Sequence, residues 1–298
     1  MRLTRTKAVV VGLMLAAATT ACGGDAGSED SGKKVEADKD AAASLPADSH
    51  MKELADKGEV TIGVKFDQPG LGFKDAASDV PTGFDVEIAK ILAAGLGIDP
   101  ASDKVKWVET ISDNREPFLQ KGRVDLVLAT YSITDERKQI VGQTGPYMVT
   151  GQQVLVKADN NDIKGIEDLK GKEVCSAEGS TSLENVNKEG AKGVAAETYS
   201  ACAEDVMAGT VPAMSTDGSI LLGLAAQNEG ELKVVGDEFS EERIGVGYPK
   251  EYPEMCEWIN ETLQTSFDNG DWAAAFESTL GKSGAETPEP PKLDPCES

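Results

Sequence analysis

One stretch of the sequence places an arginine and hydroxyl side chains directly after an apolar run. Thr130, Ser132 and Arg137 follow the mostly apolar residues 124–129 (VDLVLA). An arginine near the end of a strand can bind a carboxylate through two parallel hydrogen bonds, and a serine can add further donors. Ser132 and Asp135 also fit an ordinary helix cap, with Arg137 on the helix surface. Taken alone, this stretch favours the structural interpretation.

Two further polar stretches each follow a predicted strand. Gly179, Ser180 and Thr181 combine a glycine, hydroxyls and free helix N–H groups, which together suit a carboxylate. Thr181 and Glu184 equally form a capping box. Asp217 suits an ammonium group. An aspartate at this position is equally often a plain helix N-cap. An arginine and an aspartate in one site suit a ligand that has both an anion and an ammonium group.

The end of the first predicted strand provides a fourth stretch, residues 63–70 (GVKFDQPG). Phe66 and Asp67 are candidates to line a cleft. The Pro69–Gly70 pair marks a turn whether or not a ligand binds there.

Composition excludes several other chemistries. The 298 residues include 29 basic and 52 acidic side chains, a formal net charge of -23, which repels nucleic acid. The single histidine, His50, leaves no basis for most Ser-His-Asp, Cys-His or histidine–metal sites. We therefore expect neither a metal nor a cofactor. An enzyme is a weak alternative, since only Asp67 and Asp217 could share acid–base chemistry.

The N-terminus has the pattern of an export signal. Basic residues precede an 11-residue apolar run at residues 8–18, too short for the ~20 residues of a membrane span. Small residues then lead to Cys22, which resembles a lipoprotein processing site with residues 1–21 as the signal peptide. Ordinary cleavage with a spare cysteine is the alternative. Residues 22–51 are predicted to be a disordered tether, because their composition cannot form a core, and His50 is interpreted as a linker residue.

The four remaining cysteines, an even number in an exported chain, indicate two disulfides. Three pairings are open. Their neighbourhood in the sequence favours Cys175–Cys202 and Cys256–Cys296, and the second pair would hold the acidic, proline-rich tail against the body.

The elements that must position these residues alternate between strands and helices. Strands are predicted at 59–64, 105–108, 124–129, near 172–177 and near 211–215, and helices at 83–96, 115–121, after 182, around 202, at 252–267 and at 271–280. This alternation predicts an α/β protein with mostly parallel, doubly wound sheets, and two similar lobes are the simplest arrangement. Ligands in such sheets bind beyond the carboxyl ends of the strands.

The stretches GFDVEIAKIL, NREPFLQKGRVDLVLATYSITDERKQIV, GIEDLKGKEVCSAEGSTS and MSTDGSILLG together resemble the polar-amino-acid-binding proteins of ATP-binding-cassette importers. The KFDQPGLG segment and two of the cysteines are most similar to glutamate-binding lipoproteins of actinobacteria. The resemblance implies a type II periplasmic-binding-protein-like fold, with two lobes joined by two hinge strands. Lobe one is expected at 58–149 and 246–281, lobe two at 152–243, and an extended tail at 282–298.

The same resemblance implies a binding site for an L-amino acid. Arg137 would bind the α-carboxylate, with help from Ser132 and the Thr181 region, and Asp217 would accept hydrogen bonds from the α-ammonium. Lys65 and Arg115 match positions that provide positive charge for acidic side chains, although each could equally be a solvated surface residue. The full candidate set is Arg137, Asp217, Ser132, Thr181, Ser180, Lys65, Arg115, Phe66, Asp67 and Thr130.

This balance of charges favours glutamate, with aspartate as a second candidate. Glutamine would leave a buried cation unpaired, and a glutamine- or asparagine-binding importer component is the alternative. A ligand sensor that signals to a receptor would use the same residues. The resemblance further implies a monomer, lipid-anchored through Cys22 at the extracellular face of the membrane and partnered with permease subunits.

Overall fold

The computed structural model describes residues 35–296. The predicted signal peptide, Cys22 and the first part of the predicted tether lie outside the described residues, as do residues 297–298. The strands are β1 Val60–Val64, β2 Asp67–Gln68, β3 Gly72–Phe73, β4 Val105–Glu109, β5 Leu126–Ser132, β6 Gly142–Thr150, β7 Gln152–Lys157, β8 Glu173–Ala177, β9 Lys192–Ala196, β10 Met214–Asp217, β11 Leu232–Val235 and β12 Glu242–Tyr248. The α-helices are α1 Ala41–Ser44, α2 His50–Lys57, α3 Phe84–Gly95, α4 Arg115–Gln120, α5 Asp135–Lys138, α6 Thr181–Lys188, α7 Tyr199–Ala208, α8 Gly218–Gln227, α9 Met255–Asn269 and α10 Asp271–Ser278.

The first sheet has the strand order β4-β1-β5-β12-β6. Strand β1 is parallel to β4 and β5, whereas β12 is antiparallel to β5 and β6. Helix α3 packs on this sheet through Val86, Ile88 and Leu92, which are fully buried and follow helical spacing. Its first residue, Phe84, meets the rings of Trp272 and Phe276 edge-on. We call this sheet with α3, α4, α9 and α10 lobe 1.

The second sheet has the order β11-β7-β10-β8-β9. Strand β8 is parallel to β9 and β10, and β7 is antiparallel to β10 and β11. Helices α6, α7 and α8 follow β8, β9 and β10, as the alternating pattern predicts. We call this sheet with its three helices lobe 2. The strand expected near 211–215 begins only at Met214, since Pro212 lacks the N–H that a central strand needs.

Two segments connect the lobes, one at Gly151 and the other between β11 and β12. The second crossing lies earlier than predicted. Strand β12 begins at Glu242, which pairs with Thr150, and Ile244 is buried in lobe 1. The expected division at 243–246 therefore cuts a single strand of lobe 1. Gly245 lies within this strand, and a Cβ there would meet Thr144 and Ile133.

Residues 35–51 differ from the predicted tether. Helix α1 lies in this region and α2 begins at its end, and Ala41 and Met51 are buried. Ser49 caps α2 and Gly58 ends it in the left-handed conformation, two signals of a real helix. His50 is the first residue of α2 instead of a linker residue, and its ring stacks on Tyr252 with centroids 3.9 Å apart.

The structure contains two disulfides, Cys175–Cys202 and Cys256–Cys296, in the pairing that the sequence favours. A 3₁₀ turn at Leu280–Ser283 follows α10, and residues 285–296 form neither helix nor strand. Besides its disulfide, this tail is held by Asp294, whose N–H donates to the Gly145 carbonyl and whose carboxylate pairs with Arg243. None of the described helices has the length and apolar character of a membrane span.

Candidate ligand-binding site

The candidate residues converge where the strands of the two sheets end. Lys65 follows β1, Arg115 follows β4 through a 3₁₀ turn, and Arg137 follows β5. From lobe 2, Gly179–Thr181 follows β8, and Asp217 is the last residue of β10. All of these are carboxyl ends of strands, the place where α/β sheets bind ligands.

Arg137 is fixed by contacts to both lobes. Its Nη1 donates to the Ser132 carbonyl at 2.8 Å and its Nη2 to the Gly179 carbonyl at 3.0 Å. Its Nε lies 3.2 Å from Oε1 of Glu116. These contacts occupy three of the five N–H donors of a guanidinium. One N–H on each terminal nitrogen is therefore left for a ligand.

Arg115 is buried and bound to carbonyl groups instead of carboxylates. Its Nε donates to the Ser112 carbonyl at 3.0 Å, and its Nη2 donates to Gly179 at 3.2 Å. Its Nη1 lies 3.4 Å from the carbonyl of Ala129. Burial, and next the charge of Arg137, lower the pKa of Arg115 to about 10. The Arg115 charge is thus satisfied by hydrogen bonds but not neutralised by a described carboxylate.

Lys65 is the third cation of this wall and is also buried. Its Nζ donates to Oγ of Ser112 at 2.9 Å and lies 5.5 Å from the ring centre of Tyr199 in lobe 2. Burial lowers the pKa of Lys65 to about 8; the charge of Asp67 acts to raise this pKa, and that of Arg115 lowers it. Ser112 therefore joins the two cations, binding Lys65 through its hydroxyl and Arg115 through its carbonyl.

Tyr131 and Glu116 hold the two arginines apart. The guanidinium carbons of Arg115 and Arg137 lie 4.4 and 4.8 Å from the Tyr131 ring centre. The Tyr131 hydroxyl donates to Glu116 at 2.6 Å, and the same carboxylate oxygen pairs with Arg137. One ring therefore contacts two like charges, which cation–π attraction stabilises. Sequence analysis identified neither Tyr131 nor Glu116, although both are neighbours of predicted residues.

Lobe 2 contributes hydroxyls and a backbone turn. Thr181 Oγ1 lies 3.3 Å from Ser132 Oγ of lobe 1 and donates to Glu242 at 3.1 Å. Ser180 caps α6 by accepting from the Leu183 N–H. Gly179 is at φ 71°, and a Cβ there would lie 2.8 Å from Asp113 Cα. A glycine is therefore required at the point where lobe 2 presents its carbonyl to both arginines.

Asp217 is a buried carboxyl group without a hydrogen-bond donor among residues 35–296. Burial, followed by the charge of Glu242, raises its pKa well above the usual range. A buried ionised carboxylate is unfavourable until a cation or a donor reaches it. An ammonium group placed beside Asp217 would satisfy this requirement.

Thr130 belongs to a buried polar network behind the cations. Its backbone is at φ 44°, unusual for a β-branched residue. Its N–H donates to Asp85 at 2.7 Å, and its hydroxyl lies 2.7 Å from the Gln68 side-chain carbonyl. Tyr147 donates to the second oxygen of Asp85. Burial raises the pKa of Asp85 to about 6. Backbone strain of this kind is frequent at functional sites.

Phe66 and Asp67 are bound by partners other than the three cations. Lys74 Nζ lies over the Phe66 ring at 5.1 Å. Asp67 Oδ2 accepts hydrogen bonds from the backbone N–H groups of Tyr199 and Ser200 in lobe 2. Within the described residues, no group of three His, Cys, Asp or Glu side chains could hold a metal ion.

Comparison with known proteins identifies the family of this chain. The family model for bacterial extracellular solute-binding proteins, family 3, matches residues 60–282. The chain belongs to this family. Among curated relatives, this family 3 protein is 39% identical over 238 residues to the glutamate-binding protein GluB of Corynebacterium efficiens, covering 76% of this chain and 80% of the relative.

A further curated relative and a solved structure are also similar to this chain. The family 3 chain is 31% identical over 239 residues to the ABC transporter glutamine-binding protein GlnH of Bacillus subtilis, covering 79% of this chain and 86% of the relative. Among solved structures, an ancestral arginine-binding protein bound to glutamine superposes with a TM-score of 0.70 at 35% identity, covering 75% of this chain and 98% of that one. The two-lobed fold and the resemblance drawn from the sequence are therefore confirmed.

In this family 3 protein, the candidates fall into four groups. One group consists of the three cations and the hydroxyl residues near them: Lys65, Arg115, Arg137, Ser132, Ser180 and Thr181. Asp217 is a separate anionic position in lobe 2, and Thr130 lies in the network behind the cations. Phe66 and Asp67 lie beside them and make their own contacts. The residues absent from the sequence analysis are mainly partners that join distant segments: Ser112, Glu116, Tyr131, Asp85, Gln68, Tyr199 and Glu242.

Proposed function

We propose that this family 3 protein is the substrate-binding component of an ATP-binding-cassette importer and that it binds L-glutamate between its two lobes. The observation that carries the ligand assignment is the unequal pairing of buried charges. Lys65 and Arg115 form no ion pair with a carboxylate of residues 35–296, and Arg137 shares one with Glu116. On the other side of the cleft, Asp217 forms no ion pair with a cation of residues 35–296, although the charges of Arg115 and Arg137 act to lower its pKa.

The charges of glutamate complement this arrangement. Arg137 would bind the α-carboxylate with its two remaining N–H groups, helped by the hydroxyls of Ser132 and Thr181. Asp217 would accept hydrogen bonds from the α-ammonium. Lys65 and Arg115 would share the side-chain carboxylate. Charge-assisted hydrogen bonds contribute about 1.5–3 kcal/mol each, so a handful of them supports micromolar binding, which needs about -8 kcal/mol, after the ordering cost.

Glutamine is the main competing ligand, because relatives of this chain bear glutamine-binding names. A neutral amide would leave the charges of Lys65 and Arg115 unbalanced in a closed cleft, which is unfavourable. Aspartate has the same charges as glutamate but a side chain shorter by one methylene. The cation pair therefore favours glutamate over glutamine, and the depth of the pocket decides between glutamate and aspartate.

Hinge closure would complete the site, because residues of both lobes contact the ligand in this assignment. The permease subunits of the importer would recognise the closed form. A lipid on Cys22 would keep the protein at the extracellular face of the membrane, where we expect it to act as a monomer. The similarity to a glutamate-binding relative supports this transport role, and nothing in the site favours catalysis or sensing over transport.

Thermal melting in the presence of each of the twenty amino acids tests the proposal. The protein should begin at Gly23, so that the packed residues 35–51 are retained and lipidation is avoided. A ligand that binds only the folded state raises the melting temperature. We expect a rise of several degrees with millimolar L-glutamate and none with D-glutamate, the matched control. A rise with glutamine alone would refute the glutamate assignment, and no rise with any amino acid would refute the proposed function.

A further inference from the structure

Asp67 connects the two lobes beside the cations. It lies on β2, which pairs with β3 in a short sheet between β1 and α3 of lobe 1. Its Oδ2 accepts hydrogen bonds from the N–H groups of Tyr199 at 3.1 Å and Ser200 at 3.3 Å. Both donors belong to the first turn of α7 in lobe 2. A single carboxylate oxygen of one lobe therefore binds the end of a helix in the other.

The first turn of α7 is only partly capped by its own lobe. Thr198 caps the helix by accepting from the Ala201 N–H at 3.2 Å. The preceding N–H groups, those of Tyr199 and Ser200, have no partner within a helix, because the first four N–H groups of any helix lack one. A carboxylate at this end is also favoured by the helix dipole. Lobe 1 thus completes the cap that lobe 2 leaves unfinished.

Helix α7 is coupled to the ligand-binding elements of lobe 2. Cys202, one turn into the helix, forms the disulfide with Cys175 on β8, the strand that leads to Gly179. The ring of Tyr199 lies under the Lys65 ammonium, and its hydroxyl lies 3.5 Å from Ser182 Oγ. The position of α7 relative to lobe 1 therefore depends on the same closure that assembles the site.

We infer that Asp67 is a positioning residue, a latch that holds the lobes together by capping α7 and does not bind the ligand. This inference rests on the proposed function, since closure around an amino acid is what the latch would stabilise. The Asp67 carboxylate is bound to α7. If it faced the ligand instead, it would repel the two carboxylates of glutamate and oppose binding. Losing the latch should therefore increase ligand dissociation without removing any ligand contact.

The test combines glutamate dissociation kinetics with residue-resolved hydrogen exchange in the chain from Gly23 onward. Asp67→Ala should increase the dissociation rate about tenfold, the usual scale for loss of a charged helix cap. Asp67→Asn, which keeps an acceptor oxygen, should recover most of this loss. Asp75→Ala is the matched control: its carboxylate also accepts from a backbone N–H, that of Ala77, within an exposed loop of lobe 1.

Hydrogen exchange separates a latch from a simple helix cap. In Asp67→Ala, the Tyr199 and Ser200 amides should exchange about tenfold faster, whereas the Ala201 amide, capped by Thr198, should not change. An equal acceleration at Ala201 would mean that the helix frays and would overturn the latch, as would an unchanged dissociation rate. The same amides can be compared without ligand, so the contact is tested even if glutamate fails to bind and the proposed function is wrong.

Discussion

The two walls of the cleft differ in charge and in how that charge is held. Lobe 1 presents Lys65, Arg115 and Arg137, each fixed by hydrogen bonds mostly within its own lobe. Lobe 2 presents Asp217, which has no described donor, beside a turn of hydroxyls and one carbonyl. The cationic wall is therefore organised by its own lobe, whereas the anionic position lacks a partner.

In the proposed function, this difference would give a zwitterionic ligand one orientation. Its carboxylates would face lobe 1 and its ammonium lobe 2, so the ligand itself would neutralise both walls when they meet. Lobe 1 would bind the ligand first, because its donors are already oriented, and lobe 2 would close on it. Preorganised donors of this kind reduce the ordering cost of binding.

Removing a charge from either wall should have the largest effect. Arg137→Ala and Asp217→Ala should each raise the Kd for glutamate at least 100-fold in calorimetry, because each leaves a ligand charge buried without its partner. Circular dichroism should show an unchanged fold. A near-normal Kd in either variant would contradict the site assignment.

Neutralising the cations of the side-chain pocket should have a larger effect on the selectivity between glutamate and glutamine than on folding. Lys65→Met and Arg115→Met should each weaken glutamate binding by about 30-fold, the scale of losing a charged hydrogen-bond partner, and should weaken glutamine binding far less. The ratio of the two Kd values is the quantity to measure. Lys106→Met, on a neighbouring strand but exposed, serves as the control and should leave this ratio unchanged. Equal losses for both ligands would mean that these cations do not contact the side chain.

The cations of lobe 1 should also make glutamate binding depend on pH, with a smaller effect than the substitutions above. Burial holds the pKa of Lys65 at about 8, and an anionic ligand would raise this pKa. Glutamate therefore binds the protonated form of Lys65, whose fraction falls above pH 8. The Kd for glutamate should therefore rise about tenfold from pH 7 to pH 9. Lys65→Met should remove this part of the pH dependence while leaving the contribution of Asp217. The same slope in both proteins would locate the titrating group elsewhere.

The sequence identified the strand ends of the site more reliably than the contacts between them. Arg137 follows β5 and Asp217 ends β10, and the resemblance to the family singled out both residues. The Arg115–Gly179 hydrogen bond joins residues 64 positions apart and uses a backbone carbonyl, which any residue could provide. The same holds for Thr130 and Asp85, 45 positions apart.

The N-terminal segment was mispredicted for a related reason. Residues 35–51 are polar on average, and composition alone therefore predicts a tether. Met51 and Leu54 are apolar at helical spacing, and His50 finds its partners in Tyr252 and in Glu254, which is 204 positions away. A short helix of this kind is stabilised by the surface on which it packs and not by its own propensity.

The two crossings between the lobes also determine how the chain can fold. All strands of lobe 2 lie within residues 152–235, a continuous segment, whereas β12 joins the lobe 1 sheet between β5 and β6 only from residue 242 onward. Pairing β5 with β12 therefore requires closing a loop of more than a hundred residues, and such distant contacts form slowly. We expect lobe 2 to become protected from hydrogen exchange first during refolding. Lobe 1, which carries all three cations, should acquire its sheet last.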